Sequence, residues 1–106
     1  MMAKRIYISG PMTGLPEFNY PAFEAAATSL RGAGFDAVSP HEVDPSLSGG
    51  WHAYMRADIA LLVTCEAVAT LDGHEKSKGA TLENSIASAL EMEIKPLNEW
   101  LLTKDI

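Results

Sequence analysis

Ser77, Gly79 and Glu83 stand close together in the segment Ser77-Lys78-Gly79-Ala80-Thr81-Leu82-Glu83. An apolar run over residues 67–71 precedes it, and a helix-like stretch begins near Ala80. The segment is therefore predicted to join a strand to a helix. Helix N-termini leave backbone N–H groups without partners and favour anions such as phosphate. A carboxylate one turn further in reaches whatever that anion anchors. The chemistry implied is a small phosphorylated ligand beside a reactive carboxylate.

Each of these residues also has a simpler reading. Glu83 taken alone is a helix-start carboxylate that offsets the macrodipole. As a nucleophile or acid/base group it needs a partly apolar cleft. Ser77 occupies an N-cap position, and capping and phosphate binding use the same geometry. Asp58 lies inside a predicted helix just after Arg56, as a solvated charge or ion-pair partner unless a second carboxylate faces it. Tyr7 sits mid-strand, where tyrosine packs the core. If buried, its hydroxyl requires a partner, and a carboxylate at the sheet rim would serve.

Other chemistries find no support in the spacing. Gly10 and Gly14 do not form a dinucleotide fingerprint, and no phosphate-loop motif is present. His41, His52, His74 and Cys65 lack metal-ligand spacing, so neither a metal nor another cofactor is expected. No nucleophile elbow supports a serine triad. Trp51 and Tyr54, at helical spacing, read as core or interface rather than as a base-stacking platform.

The elements that must position these residues alternate. Strands are predicted at residues 5–9, 35–39, 67–71 and 94–97 from their β-branched and aromatic content. Helices are predicted from Pro21 to Leu30, over residues 51–64 and over residues 80–92, the last carrying Leu82, Ile86, Ala89 and Leu90 inward. A final short helix runs through Leu102, capped by Asn98. Pro96 suits an edge strand. Strict β-α alternation specifies the α/β class: a parallel sheet of about four to five strands flanked by helices, Rossmann-like or flavodoxin-like. Ligands of such sheets bind at the carboxyl ends of the strands. Loops at residues 9–19, 40–50 and 72–78 meet there.

At 106 residues the chain is expected to form one domain, 1–106, with a single core. A net charge of −6 argues against a nucleic-acid polymer as partner, although one small phosphate needs only backbone amides and a Lys or Arg. The single cysteine, Cys65, excludes an internal disulfide and fits a reducing compartment. The apolar run Ile6-Tyr7-Ile8 near the start is too short for a signal-peptide core, and no stretch approaches the ~20 apolar residues of a membrane helix. A soluble, cytoplasmic protein is expected.

Taken together, the motifs resemble the nucleoside 2-deoxyribosyltransferase superfamily from Ile6 to about Leu97. The likeness rests on Tyr7-Ile8-Ser9-Gly10-Pro11, Trp51-x-x-Tyr54-Met55-Arg56-x-Asp58, Cys65-Glu66-Ala67-Val68 and Ser77-x-Gly79-Ala80-x-x-Glu83. The branch it looks most like is a poorly characterised one of small, often phage- or prophage-encoded proteins. The resemblance implies that Glu83 attacks the anomeric carbon of a 2-deoxyribosyl group, that Asp58 is the second acidic group and that the Tyr7 hydroxyl orients the nucleophile. The demand is that of a retaining glycosidase. In transferases of free nucleosides the position of Ser77 is an aspartate. In the similar 2′-deoxynucleoside 5′-monophosphate N-hydrolases it is a phosphate-binding serine. The implied ligand is a deoxynucleotide held by Ser77, Gly79 and Lys78, with the Gly10–Gly14 loop walling the sugar. Thr13 stands where those hydrolases carry a phosphate-holding arginine, and the loop at residues 72–76 is longer.

The implied assembly is a homodimer or higher homo-oligomer, because resembling enzymes share sites across a dimer. Two other functions fit the same residues. One is a nucleotide-binding or sensing module without turnover. The other is a phage–host interaction protein that presents exposed aromatics such as Trp51 or Trp100.

Overall fold

The computed structural model describes residues 3–42 and 49–103, so the predicted loop at residues 40–50 lies partly outside it. The elements follow in the order β1 (Arg5–Ser9), α1 (Tyr20–Gly32), β2 (Asp36–Val38), α2 (Gly50–Leu62), β3 (Ala67–Thr70), α3 (Lys78–Ala89), β4 (Glu93–Pro96) and α4 (Leu97–Thr103). The strands form one parallel sheet in the order β2-β1-β3-β4. Pro96 lies in edge strand β4, as its missing N–H requires. α1 ends at Gly32. Gly34 takes the left-handed conformation, φ +95, so that Phe35 N–H can turn back to the Leu30 carbonyl at 3.0 Å.

Side chains alternate across the sheet with the period of two that strands impose. Ile6 and Ile8 of β1, with Ala67 and Ala69 of β3, face α1 and α4 and pack on Phe23, Ala27, Leu30 and Trp100. Tyr7 and Val68 face the opposite layer, with Leu62 of α2 and Ala87 of α3. Ser9 shares the Tyr7 face by register. β1 therefore aims two hydroxyls, two residues apart, into the layer formed by α2 and α3.

Two features of α4 depart from the sequence reading. Asn98 lies inside α4 and does not cap it. Trp100 is not an exposed aromatic: it is 2% exposed, its Nε1–H donates to the Val68 carbonyl at 2.8 Å, and Phe35 meets it edge-on. Lys95 lies over the same ring, its Nζ 4.2 Å from the centroid. A short C-terminal helix gains little from its own backbone, so this anchor holds it on the sheet. Trp100→Phe keeps most of the area and removes the indole hydrogen bond to the Val68 carbonyl. It is expected to cost about 1–2 kcal/mol, read as a drop of about 4–8 °C or more in Tm.

The order β2-β1-β3-β4 changes direction between β1 and β3. At that switch point the loops leaving neighbouring strands part to opposite faces and open a crevice. Gly10 follows β1 there, and a Cβ on it would meet the Leu71 side chain at 2.8 Å. Only glycine lets the two strand ends approach so closely at the floor of the crevice.

Candidate active site

A cleft of about 750 Å³ opens at this crevice, bounded by the loop after β1, the N-terminal half of α2 and the N-terminus of α3. Gly10, Asp58, Ser77, Lys78, Gly79 and Glu83 all line it. Tyr7 is fully buried beneath it.

Glu83 is 4% exposed. It lies on the inward face of α3 with Ala80 and Ala87, at spacings of three and four. The predicted inward stripe of Leu82, Ile86, Ala89 and Leu90 is wrong in register: Leu82 and Leu90 are exposed, Ala89 is exposed, and only Ile86 packs partly inward. Two alanines on the buried face let α3 settle close to the sheet. The carboxylate between them then reaches β1. Tyr7 Oη donates to Glu83 Oε2 at 2.6 Å, and Ser9 Oγ donates to Glu83 Oε1 at 2.9 Å. Each carboxylate oxygen thus has its own hydroxyl, and the Tyr7 bond has the short length of a hydrogen bond to a charged acceptor.

Asp58 lies on the buried stripe of α2 with Met55 and Leu62, while Arg56 is exposed. Its simple reading as a solvated charge does not hold, since it is 8% exposed and its Oδ1 is buried with no hydrogen-bond partner. Burial pushes the Asp58 carboxyl up to about 7, and the charge of Glu83 adds to the rise. Burial also pushes Glu83 up to about 7, against the two hydroxyl bonds that pull it down. The pair titrates jointly, and the donors decide where the charge resides. Glu83 has two donors for its anion and Asp58 Oδ1 has none. The shared negative charge therefore belongs on Glu83 and the proton on Asp58. Burial and the Glu83 charge push the Tyr7 phenol far above its ordinary value, so Tyr7 stays a donor.

The opposite end of the cleft is the N-terminus of α3. Ser77 caps it, accepting from Ala80 N–H at 3.2 Å. The N–H groups of Lys78 and Gly79 precede the first intrahelical bond. A Cβ on Gly79 would meet Met55 Sδ at 3.1 Å, so this glycine also sets how near α3 comes to α2. Lys78 Nζ lies 4.3 Å from the Trp51 ring centroid, which holds the ammonium at the cleft wall by a cation–π contact.

The structure thus brings Tyr7, Asp58 and Glu83 together, and gathers Ser77, Lys78 and Gly79 at the other end of the same cleft. The sequence reading assigned no role to Ser9 or Asn84. Asn84 Nδ2 donates to Ser9 Oγ at 3.2 Å, so both belong to the Glu83 network. Their signals were available: Ser9 is two residues from Tyr7 on one strand, and Asn84 is one turn from Ala80. Among the described residues no group of three His, Cys, Asp or Glu is placed to hold a metal ion, and no helix is long and apolar enough to cross a membrane.

Comparison with curated proteins returns no match. Among solved structures, a "2-desoxiribosyltransferase from Leishmania mexicana" aligns with a TM-score of 0.67 at 20% identity, over 88% of this chain and 63% of that one. The chain thus spans less than two thirds of the length of that neighbour. The likeness places the α/β architecture among deoxyribosyltransferase-like folds. A family model described as "Domain of unknown function (DUF4406)" matches residues 4–96, and the chain belongs to that family.

Proposed function

We propose that the protein cleaves or transfers the N-glycosidic bond of a 2′-deoxynucleoside 5′-monophosphate, with Glu83 as nucleophile and Asp58 as acid. The observation that carries this reading is the buried Glu83 carboxylate, held by the Tyr7 and Ser9 hydroxyls in a cleft it shares with Asp58, whose Oδ1 has no hydrogen-bond partner. A buried carboxylate without a cationic partner costs stability. The arrangement suits a reaction whose transition state carries positive charge on a sugar ring.

In the first step a Glu83 oxygen bonds to the anomeric carbon as the carbon–nitrogen bond breaks, and Asp58 gives its proton to the departing base. In the second step Asp58, now ionised, takes a proton from the acceptor, whose oxygen or nitrogen displaces Glu83. Water as acceptor yields a deoxyribose phosphate; a second base yields a new nucleotide. Tyr7 orients Glu83 through Oε2. The capped N-terminus of α3 and the Lys78 ammonium favour an anion about one helical turn from Glu83, which supports a monophosphate rather than a free nucleoside. Gly10 walls the sugar end. No prosthetic group is required by these steps.

The test is incubation with the four deoxynucleoside monophosphates and the corresponding nucleosides, with and without an acceptor base, followed by chromatography. Released or exchanged base from at least one monophosphate, at least ~10-fold faster than from its nucleoside, is the expected result, given the ~1.5 kcal/mol or more that one hydrogen bond to a charged group supplies. Binding without any release would favour the nucleotide-sensing module instead. No binding of any nucleotide would remove both readings.

A further inference from the structure

Asn84 follows the proposed nucleophile directly, yet it does not line the cleft. Its amide nitrogen donates to the Ala80 carbonyl at 2.7 Å and to Ser9 Oγ at 3.2 Å. The Ala80 contact fixes which way the amide lies, because a carbonyl oxygen only accepts and must therefore face the nitrogen. The same nitrogen then presents a proton to Ser9, whose hydroxyl is fully buried. A serine hydroxyl carries one proton of its own. With its oxygen accepting from Asn84, that proton is directed to Glu83 Oε1, 2.9 Å away. Hydrogen bonds in such a chain polarise one another and strengthen the last.

The amide meets this requirement at a cost. Asn84 Oδ1 is buried and has no partner. An apolar residue of the same shape would avoid that unsatisfied oxygen and still fill the space. Packing alone therefore does not account for an amide at this position, whereas its donor does.

We propose that Asn84 is a positioning residue: it turns the only proton of Ser9 onto Glu83, so that the nucleophile is held by two aimed hydroxyls and not by Tyr7 alone. The proposal rests on the assignment of Glu83 above, but its geometry is independent of the substrate. The groups that face Glu83 are Tyr7 and Ser9 from β1 and Asp58 from α2, and Asn84 acts on it through Ser9.

The experiment is a titration of the Glu83 carboxyl by ¹³C NMR in the intact protein without ligand, the resonance being assigned by its loss in Glu83→Gln. Ser9→Ala is expected to raise the Glu83 midpoint by about one pH unit, the effect of one hydrogen bond to a charged group. Asn84→Ala and Asn84→Leu are expected to raise it by roughly half a unit, and by nothing further when Ser9 is already alanine. Ser9→Thr, which keeps the hydroxyl, restores the original midpoint. An Asn84 effect of equal size with and without Ser9 would overturn the proposal, as would an unchanged midpoint in both Asn84 variants. Deoxynucleotide cleavage is a separate arm, with kcat expected to fall about 3- to 10-fold in Asn84→Ala at nearly constant KM. If the parent protein cleaves nothing, the proposed reaction fails while the titration cycle still decides the role of Asn84.

Discussion

A Glu83→Gln protein is expected to lose turnover of the deoxynucleoside monophosphate by on the order of 10³-fold or more while binding it about as well as the parent. The replacement is nearly isosteric, so the inward face of α3 with Ala80 and Ala87 stays filled. A glutamine oxygen still accepts from one hydroxyl of the Tyr7 and Ser9 pair, and its amide can donate to the oxygen of the other. What it lacks is the electron pair of an anion for the anomeric carbon. The end of the cleft proposed to hold the phosphate, at Ser77 and Lys78, lies at the N-terminus of α3 and is untouched by the change. Single-turnover assays with calorimetric binding separate the two effects. Full turnover in this variant would remove Glu83 as the nucleophile, and loss of binding together with turnover would point to a collapsed cleft.

Much of this arrangement is legible in the chain itself. Short β-branched strands punctuated by glycine and proline specify the β-α alternation, and the sheet follows from it. Tyr7 and Ser9 share a face because strand side chains alternate, and Asp58 falls on the stripe of Met55 and Leu62 because helical spacing puts it there. The register of α3 was not legible. Hydrophobicity favours Leu82 and Leu90 as inward residues, but the buried face is Ala80, Glu83 and Ala87. A helix that brings a carboxylate to a tyrosine must come close to the sheet, and small residues allow that approach where leucines would not. The close approach of small residues thus overrides the hydrophobic period at the candidate site. The same limit applies to Trp100. Its burial depends on a carbonyl in β3 and a ring from Phe35, both distant in sequence.

Asp58→Asn is expected to stabilise the protein at pH 8 and to leave its stability at pH 4 almost unchanged. In the folded protein burial and the Glu83 charge raise the Asp58 carboxyl to about 7 from an ordinary 3.8. Between these values the folded state binds the Asp58 proton and the unfolded state does not. Stability therefore falls as pH rises through that window, and the loss is complete above the folded value. Glu83, raised to about 7 from 4.5, adds a slope of the same sign. Asparagine has no proton to lose, so the Asp58 part of the slope disappears. Water admitted by the open cleft screens the charge and reduces the full linkage value. A gain of about 1–2 kcal/mol at pH 8 remains, or a rise in Tm of about 4–8 °C or more. The variant should at the same time lose on the order of 10²- to 10⁴-fold in cleavage, because the proton for the leaving base is gone. The parent protein carries the opposite balance: ionised Glu83 beside protonated Asp58 is populated near neutrality, where one group has given up its proton and the other has kept it. Activity should then peak near pH 7, falling on the acid side as Glu83 protonates and on the alkaline side as Asp58 ionises. Thermal melts of both proteins from pH 4 to 9, set beside the pH–rate profile of the parent, test the pair directly. Parallel melting curves at every pH would show that Asp58 is ionised throughout, and would take from it the role of acid.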